Sequence, residues 1–232
     1  MANIYNGIEQ VVDEQKIFDA YNSFLMSSDR RVFFKLLTRF QLFEKIAKLH
    51  GDIVECGVFK GASMLLWLKI CDFYSPHEIR KVIGFDFFDS NFVEKLEDKD
   101  KNAMGSVFQR CNATFNDISL ESIQTKIINA GFSKNKFELV KGDLSQTSKD
   151  FIANRPGFRI SLLYLDVDLE EPTYNALVNM WDRVVPGGIV VFDEYGYHAW
   201  SESNAVDRFI REKNLKLIKL HVPSPTAYII KD

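Results

Sequence analysis

The chain has 232 residues, 46% hydrophobic and 26% charged, the balance of an ordinary soluble domain with room for one well-buried core. Its formal net charge of −3 excludes a global attraction to nucleic acid or to an anionic membrane. Cys56, Cys71 and Cys111 follow no metal-type spacing, no apolar run is long enough to span a bilayer, and no signal-peptide core opens the chain, so a reducing cytoplasm is the expected location.

Residues 1–50 read as a helical extension, because 11–24 and 31–49 carry apolar residues at helical spacing without proline or glycine. From 51 to 232, short apolar strands alternate with longer amphipathic stretches. Strands are expected at 52–56, 81–86, 137–141, 160–165 and 189–192, with helices at 63–71, 119–130, 145–152, 173–184 and 201–213. Pro186-Gly187-Gly188 reads as a turn that stops a helix. Two last strands, 216–220 and 226–230, flank Pro223-Ser224-Pro225 at a spacing that suits a hairpin. The order predicts an α/β fold: a doubly wound, mostly parallel seven-stranded sheet, ending in an antiparallel hairpin. Segment 87–118 has mixed charge and little periodicity, and it is long for a loop. Its place above the strand ends makes it a candidate lid, with disorder as the alternative.

Two acidic clusters close apolar strands: Leu165-Asp166-Val167-Asp168-Leu169 and Val191-Phe192-Asp193-Glu194-Tyr195. Desolvating an ionised carboxylate is costly, so adjacent acids at buried strand ends need compensation. The two strands should be neighbours, which brings Asp193 and Glu194 close to Asp166. A hard divalent ion such as Mg²⁺ suits a set of oxygen donors, and no His or Cys accompanies them to favour zinc. Capping for Asp168 and plain solvation for Glu194 are the structural alternatives. His198, in the loop after the fifth strand, is a candidate auxiliary base or an ordinary loop histidine. Tyr195, Tyr197 and Trp200 either wall an acceptor or simply pack.

The run from Glu55 through Gly57 and Gly61 to Ser63 joins the first strand to its helix. Glycines there let a ligand approach the backbone and leave helix N–H groups available. Glu55 stands where a dinucleotide motif has its first glycine, a charge that repels pyrophosphate but suits an ammonium or sulfonium group. This ranks a nicotinamide dehydrogenase last. Asp86 ends the second strand, where doubly wound folds place an acid on ribose hydroxyls. Asp143 follows the third and reads either as an acceptor for an adenine amino group or as a helix N-cap.

Residues 51–61 (Gly-Asp-Ile-Val-Glu-Cys-Gly-Val-Phe-Lys-Gly), Leu165-Asp166-Val167-Asp168-Leu169 with Pro172-Thr173 behind it, and Pro186-Gly187-Gly188 through Gly196 resemble the motifs of the macrocin O-methyltransferase (TylF-type) family. The resemblance covers roughly 51–210. It implies a Rossmann-like class I methyltransferase using S-adenosylmethionine and Mg²⁺ to methylate a sugar hydroxyl of a natural product. It assigns Asp166, Asp193 and Glu194 to the metal and Asp168 to the general base. Asp166 counts with the cofactor positions as well. Where the family often has two aspartates, this chain has Asp193-Glu194. A catechol or other vicinal-diol acceptor, and a cofactor-binding protein without turnover, are the competing readings; homo-oligomerisation is expected by family likeness.

Overall fold

The computed structural model describes residues 14–74, 79–96 and 98–232. Positions 11–13 of the first expected helix lie outside them. The chain enters through α1 (Glu14–Met26) and α2 (Arg31–Ile46), then alternates strands and helices. The strands are β1 (Asp52–Cys56), β2 (Val82–Asp86), β3 (Phe137–Lys141), β4 (Ile160–Leu165), β5 (Val184–Phe192), β6 (Ile218–Lys219) and β7 (Ala227–Ile230). Between them run α3 (Ala62–Tyr74), α4 (Asp98–Arg110), α5 (Phe115–Ile118), α6 (Leu120–Asn129), α7 (Leu144–Ala153), α8 (Glu170–Met180) and α9 (Glu202–Lys213). Among the described residues the sheet has seven strands in the order β3-β2-β1-β4-β5-β7-β6, parallel as far as β5 and antiparallel from β5 to β6. The closing hairpin is as expected, with β7 inserted beside β5.

Strand residues two apart share a face, and the two faces bury separate cores. Ile53, Leu162, Tyr164, Ile189 and Val191 face α2, α3 and α6, packing with Leu42, Met64, Trp67 and Ile123. Val54, Cys56, Leu163, Leu165, Val190 and Phe192 face α7, α8 and α9, packing with Phe151, Leu177 and Phe209. Cys56 is the small buried hydrophobe its strand position predicts. No described helix is long and apolar enough to cross a membrane.

Two stretches differ from expectation. β5 begins at Val184, so Pro186-Gly187-Gly188 lies inside a strand rather than before it. The turn-like residues are accommodated as an irregularity: Val184 pairs with Ile160, but Ile189 already pairs with Leu162. The Gly187 N–H donates to the Lys231 carbonyl at 2.7 Å, which ties the bulge to the end of the chain. Segment 87–118 is largely helical in its described part, with a 3₁₀ turn at Asn91–Lys95 followed by α4 and α5. In α4, buried Met104 and half-buried Val107 and Phe108 make an apolar stripe only one turn long, which the mixed charge around it hides from a reading by periodicity. Aromatic edges fasten this segment to the turn after β1. Phe108 meets Phe59 at 5.7 Å and Phe92 at 6.3 Å, and Phe92 stacks on Phe87 at 4.6 Å. Lys60 adds a hydrogen bond to the Cys111 carbonyl at 2.8 Å.

Candidate active site

The carboxyl ends of β1, β4 and β5 meet at a crowded edge. Gly57 adopts φ +94°, and a Cβ there would stand 1.9 Å from the Asp166 carbonyl oxygen. A glycine is therefore what lets the turn after β1 lie against the end of β4. Asp86 braces the same turn. Its Oδ2 accepts from the Val58 and Phe59 N–H groups at 2.7 and 2.8 Å, and its Oδ1 accepts from Phe88 N–H at 3.0 Å. Burial raises the Asp86 pKa and these hydrogen bonds oppose it. In this arrangement both carboxylate oxygens of Asp86 face protein backbone.

Gly61, at φ +83°, opens α3, and Ser63 in its first turn accepts from Arg39 Nε at 2.7 Å. Glu55 lies in β1 beside Tyr164 of β4 and is fully buried. Neither of its carboxylate oxygens makes a hydrogen bond. Burial pushes its pKa up to about 7, against the nearby Arg39 guanidinium and Ser63 hydroxyl, which pull it down. An unsatisfied buried carboxylate is costly, which supports reading Glu55 as a group waiting for a cationic ligand. Asp143 is exposed and caps α7, its Oδ1 accepting from Ser145 N–H at 2.9 Å.

The acid cluster continues the Glu55–Tyr164 face past the strand ends. Asp166 N–H bonds the Cys56 carbonyl at 2.9 Å and Asp193 N–H bonds the Leu165 carbonyl at 3.0 Å, extending both parallel ladders by a residue. Asp193 is buried, with Oδ2 3.0 Å from Lys35 Nζ of α2 and Oδ1 accepting from the Tyr164 hydroxyl. Burial acts to raise its pKa, but the Lys35 and Arg39 charges outweigh that and bring it below the ordinary value. The other acids go the opposite way. Burial, then the Asp193 charge, raises Asp166 well above the usual range, and the same causes push Asp168 and Glu194 up to about 7. Asp168 holds a left-handed φ of +64°, a strained setting for a non-glycine residue at a functional edge.

Four participants escaped the sequence reading: Lys35, Arg39, Tyr164 and Glu202. Glu202, at the start of α9, is fully buried; its Oε1 accepts from Glu194 N–H at 3.2 Å and its Oε2 has no partner. Its own N–H bonds the Asp168 carbonyl at 3.1 Å, so α9 links the loops after β4 and β5. Arg39 is buried with its guanidinium 4.7 Å over the Tyr164 ring. A signal for the basic pair was available: 35, 39, 42, 43 and 46 share one face of α2, and its first two members are cations.

The remaining candidates belong to the loop after β5. His198 is exposed, its ring 5.1 Å from that of Tyr197. Tyr195 donates its hydroxyl to Asp207 Oδ1 at 2.8 Å, which commits it to packing on α9. Among the described residues, no group of three or more His, Cys, Asp or Glu side chains is arranged to hold a metal ion. The donor chemistry nonetheless fits a hard cation. The cluster offers oxygens alone; burial first, and then the acids' mutual charge, raises their pKa values, and a divalent ion would favour the ionised forms that burial disfavours.

Comparison with known proteins bears on the family and the fold. Residues 37–228 match the model of the macrocin-O-methyltransferase (TylF) family. An 8-demethyl-8-(2,3-dimethoxy-alpha-L-rhamnosyl)-tetracenomycin-C 4'-O-methyltransferase of Streptomyces olivaceus is 27% identical, over 64% of this chain and 54% of its own length. A mycinamicin III 3''-O-methyltransferase of Micromonospora griseorubida is 26% identical, over 66% of this chain and 58% of its own. The chain thus spans little more than half the length of these curated relatives. The crystal structure of CalS11, a calicheamicin methyltransferase, superposes with a TM-score of 0.72 at 23% identity, covering 95% of this chain and 86% of that one. The shared architecture is that of the class I methyltransferases.

Proposed function

The chain belongs to the macrocin-O-methyltransferase (TylF) family, and from that membership we propose that it moves a methyl group from S-adenosylmethionine to a hydroxyl of a sugar or glycosylated small molecule. The observation that carries this reading is the set of strand-end acids beside unsatisfied, buried Glu55. It lies at the carboxyl edge of the sheet, where doubly wound folds bind their ligands.

In this reading Glu55 faces the cationic part of the cofactor, and the turn from Gly57 through Gly61 to Ser63 seats the rest. Asp86 and Asp143 serve its ribose and adenine sides with the acceptor capacity that their backbone hydrogen bonds leave over, and Asp166 borders the methyl-bearing sulfur. Asp166, Asp193 and Glu194 would hold Mg²⁺, which lowers the pKa of a bound hydroxyl when present. Asp168, with its pKa near 7, accepts the hydroxyl proton, and His198 is the auxiliary base. The acceptor oxygen then forms its bond to the methyl carbon as the carbon–sulfur bond breaks, and S-adenosylhomocysteine leaves with the electron pair. This is an in-line displacement that depends on positioning. Segment 87–118, fastened to Phe59 and Lys60, is the lid over the cofactor. The cysteines form no disulfide, which supports a cytoplasmic setting. Ile17, Phe18, Tyr21, Met26 and Val32 leave apolar surface exposed on α1 and α2, a face suited to a second copy; a monomeric solution mass would remove that contact.

The test is transfer of labelled methyl from S-adenosylmethionine to a panel of deoxysugar glycosides and catechols, with and without chelator. We expect labelled glycoside, turnover lost on chelation and restored by Mg²⁺. Preference for catechols would change the acceptor class. Equal rates with chelator would remove the metal, and cofactor binding without transfer to any acceptor would leave a binding protein.

A further inference from the structure

We infer that Lys35 is the resident counter-cation of the acid cluster, and that a divalent ion must displace it before the site is loaded. The inference rests on the proposed metal-dependent reading and adds a residue to it. The family match begins at residue 37, so it assigns nothing to Lys35.

Three observations support it. First, each carboxylate oxygen of Asp193 already has a partner: Oδ1 accepts a hydrogen bond from the Tyr164 hydroxyl, and Oδ2 holds Lys35 Nζ at 3.0 Å. Tyr164 is fully buried and stays in place while Lys35 is free to move, so Oδ2 is the oxygen that opens most readily to an incoming ion. An ammonium and a divalent cation on one oxygen repel each other strongly, so the two states exclude one another.

Second, the two basic residues of α2 are held differently. Arg39 is 3% exposed, bonded to Ser63 and stacked on Tyr164, so it stays in either state. The Lys35 side chain is 50% exposed, against 2% for Asp193. It has an open route to water on a flexible four-carbon stem, and its ammonium recovers hydration on leaving.

Third, the exchange has a structural consequence. The Lys35–Asp193 pair joins α2 to the end of β5, 158 positions apart in sequence. Seating the ion exchanges that tie for metal–oxygen bonds and loosens the N-terminal half of α2. The N-terminal helices thus report whether the acids are loaded.

The experiment is a Mn²⁺ titration of chelator-stripped protein, followed by the electron paramagnetic resonance signal of the free ion, for wild type, Lys35→Met and Lys35→Arg. Melting temperatures of the stripped proteins are measured in parallel. Lys35→Met should bind Mn²⁺ at least roughly tenfold more tightly than wild type, since a repelling charge is gone. Its stripped form should melt a few degrees lower, because Asp193 loses its partner. Lys35→Arg, which keeps the charge, should bind as weakly as wild type. If wild type binds Mn²⁺ and Lys35→Met binds no tighter, Lys35 is not the competitor, and the metal reading survives without it. If neither protein binds Mn²⁺, the inference and the metal assignment fall together.

Discussion

Glu55 sits in the sheet with neither carboxylate oxygen hydrogen-bonded, and burial holds its pKa up at about 7. An ammonium or sulfonium group brought against it stabilises only the ionised form. Below pH 7, cofactor binding must therefore expel a proton from Glu55, and that cost grows as the pH falls. Between pH 6 and pH 8 the dissociation constant for S-adenosylmethionine should fall about tenfold and then level off. Calorimetry in buffers of different ionisation enthalpy would count the released proton directly. Glu55→Gln should bind more weakly at pH 8 and show no such trend. A wild-type affinity unchanged across that range would mean that Glu55 does not face the cofactor's charge.

At the level of elements, the site depends on how closely the turn after β1 and the end of β4 approach. Gly57→Ala would set a methyl 1.9 Å from the Asp166 carbonyl while forcing alanine to hold φ +94°. Backbone strain and overpacking together should destabilise the protein by about 3 kcal/mol or more. The melting temperature would then drop by roughly 10 °C. A shift within a degree or two would show that the two ends are not locked together as described. The strands that carry this contact were legible because buried parallel strands read as apolar runs; β1, β3 and β4 fall where expected. The start of β5 was hidden by Pro186-Gly187-Gly188, residues that signal a turn and here make an irregularity within a strand. The acids of the site could be read because they interrupt those runs at strand ends. Their cationic partners leave a signal of their own, two cations on the apolar face of α2, but nothing local says which acids they meet, because the Lys35–Asp193 pair is 158 positions apart in sequence. Glu202 was missed for the opposite reason: an acid in the first turn of a helix ordinarily needs no explanation beyond the helix dipole.

Across the whole molecule, these shifts combine into a dependence of stability on pH. Glu55, Asp168 and Glu194 titrate near 7 in the folded chain, and Asp166 and Glu202 well above their ordinary values. Carboxyls whose pKa rises on folding bind protons more tightly in the folded state than in the unfolded one. Their contribution is most favourable below the unfolded values and is lost as pH climbs through the folded ones. Glu55 alone, moved from 4.5 to about 7, loses on the order of 3 kcal/mol across that window. Asp193, lowered below 3.8, acts in the reverse sense, but its loss comes only in stronger acid. Chelator-stripped protein should therefore melt several degrees higher at pH 5.5 than at pH 7.5. Saturating Mg²⁺ should shrink that difference, because an ion bound to ionised carboxylates stabilises the folded state most where they are already deprotonated. Scanning fluorimetry across pH, with and without the ion, reads both effects. A stripped protein that grows more stable from pH 5.5 to 7.5 would mean that the strand-end acids are already neutralised by groups of the protein itself, and the electrostatic case for a divalent ion would be gone.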